Sequence, residues 1–222
     1  MKGLRSNNAT NGNSTSEVEA ESAKYYDRNI QTYSVNNQNP ADFIDEFLTL
    51  IPKGKGRILD LGCGPGINSG YIDSKHFDVE GVDLSQKMIA QASMTYPNIK
   101  FHLADMTQIN FPSQSFDGIF ASYSIIHLPK EKIPAFFTEL HRILRPGGLL
   151  YVSVQCGKST EGFYSHPSIP DEPLFLNIFS KEEVTECLSK NGFKIISQHE
   201  KLPSGKVFLF MKLFIMAKKS FE

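Results

Sequence analysis

The chain carries almost no net charge, no paired cysteines and no apolar run long enough to cross a bilayer, and each absence removes a class of function. Lysine and arginine number 23 against 24 acidic residues, so no overall field draws it to nucleic acid or to an anionic membrane. Cys63, Cys156 and Cys187 lie far apart, with no C-x-x-C pair and no histidine spacing that would assemble a tetrahedral metal site. Three scattered thiols suit a reducing compartment, and a cytoplasmic location is expected. The strongest apolar run, Val207 to Ala217, is interrupted by Lys212 and falls short of the roughly 20 residues that a spanning helix needs. It reads as a long buried strand.

At 222 residues and 40% hydrophobic content, the chain can bury one substantial core. Residues 1–21 are rich in Asn, Ser, Thr and Glu and are expected to be a disordered tail, with residues 22–222 forming a single domain. From Arg57 onward, short apolar runs alternate with longer amphipathic ones, the pattern of parallel strands joined by crossover helices. Strands fit Arg57 to Leu61, Val79 to Leu84, Ile99 to Ala104, Phe116 to Ser122 and Leu149 to Val154, each apolar enough to be covered on both faces. Helices fit Gln86 to Ser93, capped by Ser85, and Lys130 to Leu144, which Pro146-Gly147-Gly148 should stop. The fold class is therefore α/β, with a doubly wound, mostly parallel sheet.

Residues 156–179 hold several prolines and glycines without a clear period, which predicts a long loop that shapes a substrate site. Ser180-Lys181-Glu182-Glu183 resembles a capping box opening a helix that ends at Asn191-Gly192. Phe193 to Ser197 and Val207 to Ala217 then bracket Pro203-Ser204-Gly205 as a terminal hairpin. Before the first strand, Glu17 to Tyr33 and Ala41 to Ile51 have helical spacing, so that residues 22–51 are expected to form a helical cover.

The most informative segment is Asp60-Leu61-Gly62-Cys63-Gly64-Pro65-Gly66, where a buried strand turns towards a helix. Glycines there let the backbone approach a ligand closely. A dinucleotide fingerprint is G-x-G-x-x-G, whereas here the third glycine arrives one residue early and Asp60 stands at the loop's mouth. A carboxylate in that place repels phosphates and attracts an ammonium or a sulfonium. Asp83, roughly 20 residues beyond the first glycine, holds the position from which a carboxylate accepts ribose hydroxyls. The two together point to a nucleoside bearing positive charge, which S-adenosylmethionine is.

Four segments, Asp60 to Gly66, Val82-Asp83-Leu84-Ser85, Ala104-Asp105-Met106 and Leu144-Arg145-Pro146-Gly147-Gly148-Leu149, resemble the successive motifs of class I S-adenosylmethionine-dependent methyltransferases. Within that superfamily the chain is similar to the small-molecule group that includes ubiquinone and menaquinone biosynthesis enzymes. The resemblance runs from about Tyr25 to Lys218. It implies a Rossmann-like, seven-stranded sheet in the order 3-2-1-4-5-7-6, with strand seven antiparallel. It also implies that the loop of Gly62, Cys63, Gly64 and Gly66 receives the methionine moiety, with Asp60 near its ammonium directly or through water. Asp83 would hold the ribose and Asp105 the adenine amino group. The Met106 backbone would reach a ring nitrogen, Leu84 and Met88 would pack on the ring, and Ser122 would face the methionine end. The segment Tyr26 to Tyr33 looks like the tyrosine-bearing helix of this group, which makes Tyr26 and Tyr33 covers for the cofactor.

His127, after strand four, sits on the rim where open α/β sheets bind ligands and is the candidate general base; a structural imidazole is the competing reading. Tyr123, Tyr164 and His166 rest on loop position alone. The chain lacks the Asx-Pro-Pro-aromatic segment by which amino-group methyltransferases of DNA are known, and has Ala121-Ser122-Tyr123-Ser124 in its place. A small-molecule acceptor is therefore expected, without DNA, metal or a membrane span. The alternatives are an RNA or protein methyltransferase and a non-catalytic subunit that binds cofactor or partner without turnover.

Overall fold

Ile58, Leu59 and Leu61 are fully buried in the computed structural model, and since neighbouring side chains of a strand point to opposite faces, β1 (Arg57–Leu61) has to be covered from both sides. The described residues are 14–36, 38–52, 56–166, 169–203 and 210–220, with the side chains of Asn36 and His166 left aside. β1 pairs in parallel with β2 (Asp78–Asp83) and with β4 (Phe116–Ser122). β3 (Lys100–Leu103) extends the sheet beyond β2, and β5 (Leu144–Cys156) lies parallel to β4 on the other side. β9 (Met211–Lys219) pairs antiparallel with both β5 and β8 (Phe193–Lys201). The order β3-β2-β1-β4-β5-β9-β8 is the expected 3-2-1-4-5-7-6, because a separate hairpin of β6 (Thr160–His166) and β7 (Ile169–Ile178) intervenes in the chain.

Helices α1 (Thr15–Asn36), α2 (Ile44–Leu50), α3 (Ile67–Ser74), α4 (Gln86–Thr95), α5 (Ile133–Ile143) and α6 (Lys181–Lys190) complete the layers. Two apolar clusters lie on the two sides of the sheet. One gathers Leu59, Ile119, Phe136, Phe137 and Leu140 of β1, β4 and α5. The other gathers Phe47, Ile58, Ile72, Phe120 and Tyr151, including α2 and α3. Ser180 and Glu183 form the expected reciprocal capping box on α6.

Three expectations need correction, and a fourth is covered only in part by the described residues. The tail does not run to Glu21: helix α1 begins at Thr15, where the Ser14 N–H donates to Glu17 Oε2 at 2.7 Å and so caps the first turn. Val18 is fully buried, with Glu19 and Ser22 6% exposed, so a polar composition concealed a packed face. Residues 1–13 lie outside the described set. Second, residues 156–179 are largely a regular antiparallel hairpin; its prolines fall in its peripheral half, where Ser165 pairs with Pro173 and a register shift follows. Third, α5 ends at Ile143, before Pro146-Gly147-Gly148, and those residues belong to β5, whose register shifts there between Phe116 and Gly118 of β4. Fourth, β9 begins at Met211 in the described residues; Val207 to Leu209, Ser204 and Gly205 fall outside them.

Candidate functional site

The carboxyl ends of β1, β2, β3 and β4 converge on an open-mouthed cavity of about 680 Å³, roofed by Glu19, Ser22, Ala23, Tyr26 and Tyr33 of α1. These roof positions recur at helical spacing, so one face of a single helix looks down the length of the site. A kink at Asn29 (φ −110°, ψ 16°) bends it there. Two links hold α1 in place. Asp27 Oδ1 accepts from Ser85 Oγ at 2.5 Å and from the Lys87 N–H at 3.0 Å, at the N-terminus of α4. Arg28 and Asn29 both donate to Glu172 of β7, at 2.9 and 3.1 Å.

The glycine loop is strapped to the end of β2: the N–H groups of Gly62 and Cys63 both donate to the Val82 carbonyl, at 2.8 and 2.9 Å. Gly64 has φ +54°, and a side chain there would meet only Tyr33, 3.7 Å away, which leaves the space beside it for a ligand. Gly66 differs. At φ +84° it precedes α3, and a Cβ would come within 3.0–3.1 Å of Tyr96, Ala92 and Phe101. Its missing side chain lets the helix and the sheet approach, as the third glycine of related loops does. Neither Gly66 nor Cys63, 5% exposed, lines the cavity, and Asp60 sits one layer behind it. The loop's cavity-lining glycines are Gly62 and Gly64.

Asp60 is 1% exposed. Ser69 Oγ donates to its Oδ2 at 2.6 Å, while Oδ1 has no hydrogen-bond partner among the described residues. Burial raises its pKa to about 7, with the Ser69 bond pulling the other way. Asp83 accepts the Gly64 N–H on Oδ2 and the Ser85 N–H on Oδ1, both at 2.8 Å. Burial nonetheless holds its pKa above the usual value, and Asp83 lines the cavity. Asp105 takes the N–H and the hydroxyl of Thr107 on Oδ1, both at 2.7 Å, and among the described residues no hydrogen bond ends on Oδ2. Leu84, Met88 and Met106 supply apolar wall between these carboxylates.

His127 also lines the cavity, in the turn after β4. Its Nδ1 lies 3.0 Å from the Phe175 carbonyl and must carry the proton, so Nε2 accepts from the Tyr26 hydroxyl at 2.8 Å. Burial lowers its pKa to about 4, and the ring is neutral with both nitrogens engaged. Tyr33 is raised to about 12, first by burial and then by Asp83 and Asp60. Of the weaker candidates, Tyr123 lines the cavity and Tyr164 is 5% exposed within the core; the His166 side chain lies outside the described set. Sequence reasoning missed Glu19, Ser22, Ala23, Ser124 and Leu128. The helical spacing of Glu17 to Tyr33 was the available signal for the first three.

Residues 58–148 match the family described as a methyltransferase domain. Over that segment, which holds the glycine loop, Asp83 and Asp105, the chain is similar to S-adenosylmethionine-dependent methyltransferases. It is 32% identical to phosphoethanolamine N-methyltransferase 3 of Arabidopsis thaliana over 50% of this chain and 24% of that protein. It is 27% identical to the malonyl-[acyl-carrier protein] O-methyltransferase of Enterobacter lignolyticus over 75% of this chain and 66% of that one. The chain thus spans about a quarter of the length of the plant relatives. Among solved structures it is similar to the 1,6-didemethyltoxoflavin-N1-methyltransferase of Burkholderia thailandensis, determined with S-adenosylhomocysteine bound, at a TM-score of 0.76, 17% identity, 98% of this chain and 95% of that chain. At that identity the likeness bears on the fold alone.

The cavity fits S-adenosylmethionine, the methyl donor of the enzymes that the chain resembles. Asp83 and the empty space beside Gly64 supply a carboxylate and room at the cavity surface for a ribose and an amino acid, and the Asp60 carboxyl lies one layer behind them. No group of three or more potential metal ligands occurs among the described residues.

Proposed function

We propose that the protein transfers a methyl group from S-adenosylmethionine to a small-molecule acceptor by direct displacement. The observation that carries this reading is one cavity, at the carboxyl ends of the parallel strands, lined by Gly62, Gly64, Asp83, Leu84, Met88, Asp105, Met106, Ser122 and His127 together. When bound, the cofactor supplies an electrophilic methyl group on a sulfonium. Gly62 and Gly64 give its methionine end close backbone approach, and Asp60 sets a negative charge one layer behind. Asp83 accepts from the ribose hydroxyls, Asp105 from the adenine amino group through Oδ2, and the Met106 backbone meets the ring between Leu84 and Met88. Ser122 faces the methionine end. Tyr26 and Tyr33 lie over the site and keep water from it, as a displacement that destroys charge at sulfur requires.

His127 is best read as a positioning residue: its Nε2 lone pair holds the Tyr26 hydroxyl, and a group with a pKa of about 4 is a weak base at neutral pH. The acceptor is therefore one that needs no strong base from the protein, such as a neutral amine or a group already ionised. Helix α1 lines one side of the cavity and is joined to the β6–β7 hairpin directly through Glu172 and, by way of Tyr26 and His127, through the Phe175 carbonyl. The three cysteines are free, in keeping with a reducing, cytoplasmic setting. No helix among the described residues is long and apolar enough to cross a membrane. Turnover of methyl-labelled cofactor against a panel of amines, carboxylates and phenols tests the reading; binding of cofactor with no transfer to any of them would leave a binding subunit instead.

A further inference from the structure

Glu19 is 6% exposed, lies on the cavity face of α1 and has one oxygen committed and one not. Lys132 Nζ donates to Oε2, while Oε1 is buried without a hydrogen-bond partner among the described residues. An ionised carboxylate with a bare buried oxygen is costly, and the cost is removed only when a donor reaches it. Glu19 lines the cavity, so a ligand bound there can bring that donor. Glu19 lines the same cavity as Ser22, Ala23, Asp105 and Met106, and Asp105 is close enough to oppose its ionisation, after burial, which is the larger effect. Ser22 offers nothing, because its hydroxyl donates to the Val18 carbonyl at 3.1 Å.

Two carboxylates therefore line the same cavity, each with one oxygen that receives no hydrogen bond among the described residues. We propose that Glu19 is a second acceptor for the exocyclic amino group of the cofactor's adenine, so that Asp105 takes one of its two protons and Glu19 the other. This rests on the cofactor reading above and deepens it. An amino group satisfies both oxygens at once, whereas a carbonyl in the same place, as in hypoxanthine, turns a lone pair towards two anions. The pair thus selects adenine over its deaminated counterpart, and Lys132 holds Glu19 ionised and aimed.

The test compares S-adenosylhomocysteine with S-inosylhomocysteine, measured by calorimetry on the full chain and on Glu19→Gln, Glu19→Ala and Lys132→Met. The unchanged protein should prefer the adenine ligand by a factor of about a hundred or more. Glu19→Gln should weaken the adenine ligand roughly tenfold and narrow the preference by a similar factor, since its amide is able to donate to a carbonyl. Glu19→Ala should lose the same affinity. Lys132→Met removes the cation that holds Glu19 ionised and aimed, and should narrow the preference in the same direction as the Glu19 variants. If both Glu19 variants, with melting temperatures near that of the unchanged protein, keep their adenine affinity and preference, the proposal is overturned and Glu19 serves only Lys132. Failure of the unchanged protein to bind S-adenosylhomocysteine at all would instead remove the cofactor reading.

Discussion

Asp60 ties cofactor affinity to pH in a way that the structure makes quantitative. Buried behind the glycine loop, its carboxyl has a pKa of about 7, so near neutrality it is only partly ionised when no ligand is present. A cationic amino group attracts the ionised form, and binding draws a proton off. Affinity then follows the fraction of Asp60 ionised in the free protein, about three-quarters at pH 7.5 and about one-tenth at pH 6. S-adenosylhomocysteine should bind about eightfold more weakly at pH 6 than at pH 7.5. Calorimetry in two buffers of different ionisation enthalpy should register release of most of one proton at pH 6. Asp60→Asn should lose affinity at pH 7.5 and flatten this slope, a control needed because Asp83 is shifted upward too. The same group acts on the ligand-free fold with a definite sign. Its folded pKa lies above the ordinary carboxylate value, so its contribution to stability is full at low pH and is lost as pH rises through about 7. Ligand-free Asp60→Asn should therefore melt at or above the temperature of the unchanged protein at pH 8. Equal affinity at pH 6 and 7.5, or an undiminished slope in the variant, would refute the reasoning.

Other expectations follow from the same geometry. Asp83→Ala should weaken S-adenosylhomocysteine by roughly 1.5–3 kcal/mol, and Asp83→Asn should be nearly as harmful, because both carboxylate oxygens accept backbone N–H groups and one amide nitrogen would then face a donor; calorimetry and thermal melts separate binding from folding. Tyr26→Phe leaves His127 Nε2 without its donor and should cost about 1–2 kcal/mol of stability, readable from denaturant midpoints. At saturating cofactor, the rate should show no limb assignable to His127 between about pH 6 and 8, since its pKa is about 4; a limb in that range abolished by His127→Gln would restore it as the base. Deleting residues 1–34 should leave the sheet folded yet weaken cofactor binding, and hydrogen exchange in the full chain should show α1 and the β6–β7 hairpin protected on adding S-adenosylhomocysteine.

The sheet was legible because parallel strands covered on both faces, such as Ile58 to Leu61 and Phe116 to Ser122, read as unbroken apolar runs. Its edges and covers were less so. Helix α1 buries Val18, Glu19, Ser22 and Tyr25, a face half polar, and its composition resembled a solvated tail until tertiary contacts were known. The β6–β7 hairpin hid behind Pro170 and Pro173, which sit in its peripheral half. At the site, Asp83 and Asp105 announced themselves through motif spacing, but the sequence had no means of showing that His127 already holds Tyr26, or that Gly66 and Cys63 face protein rather than cavity. Glu19 carries no motif; only the fold brings it to the same cavity as Asp105.

The most direct test of the central claim is a titration of the purified, folded protein with S-adenosylhomocysteine at pH 7.5. The account predicts one site with a dissociation constant in the micromolar range, about −8 kcal/mol, competed by S-adenosylmethionine and indifferent to NADH. Absence of heat and of any thermal shift at millimolar ligand would contradict it.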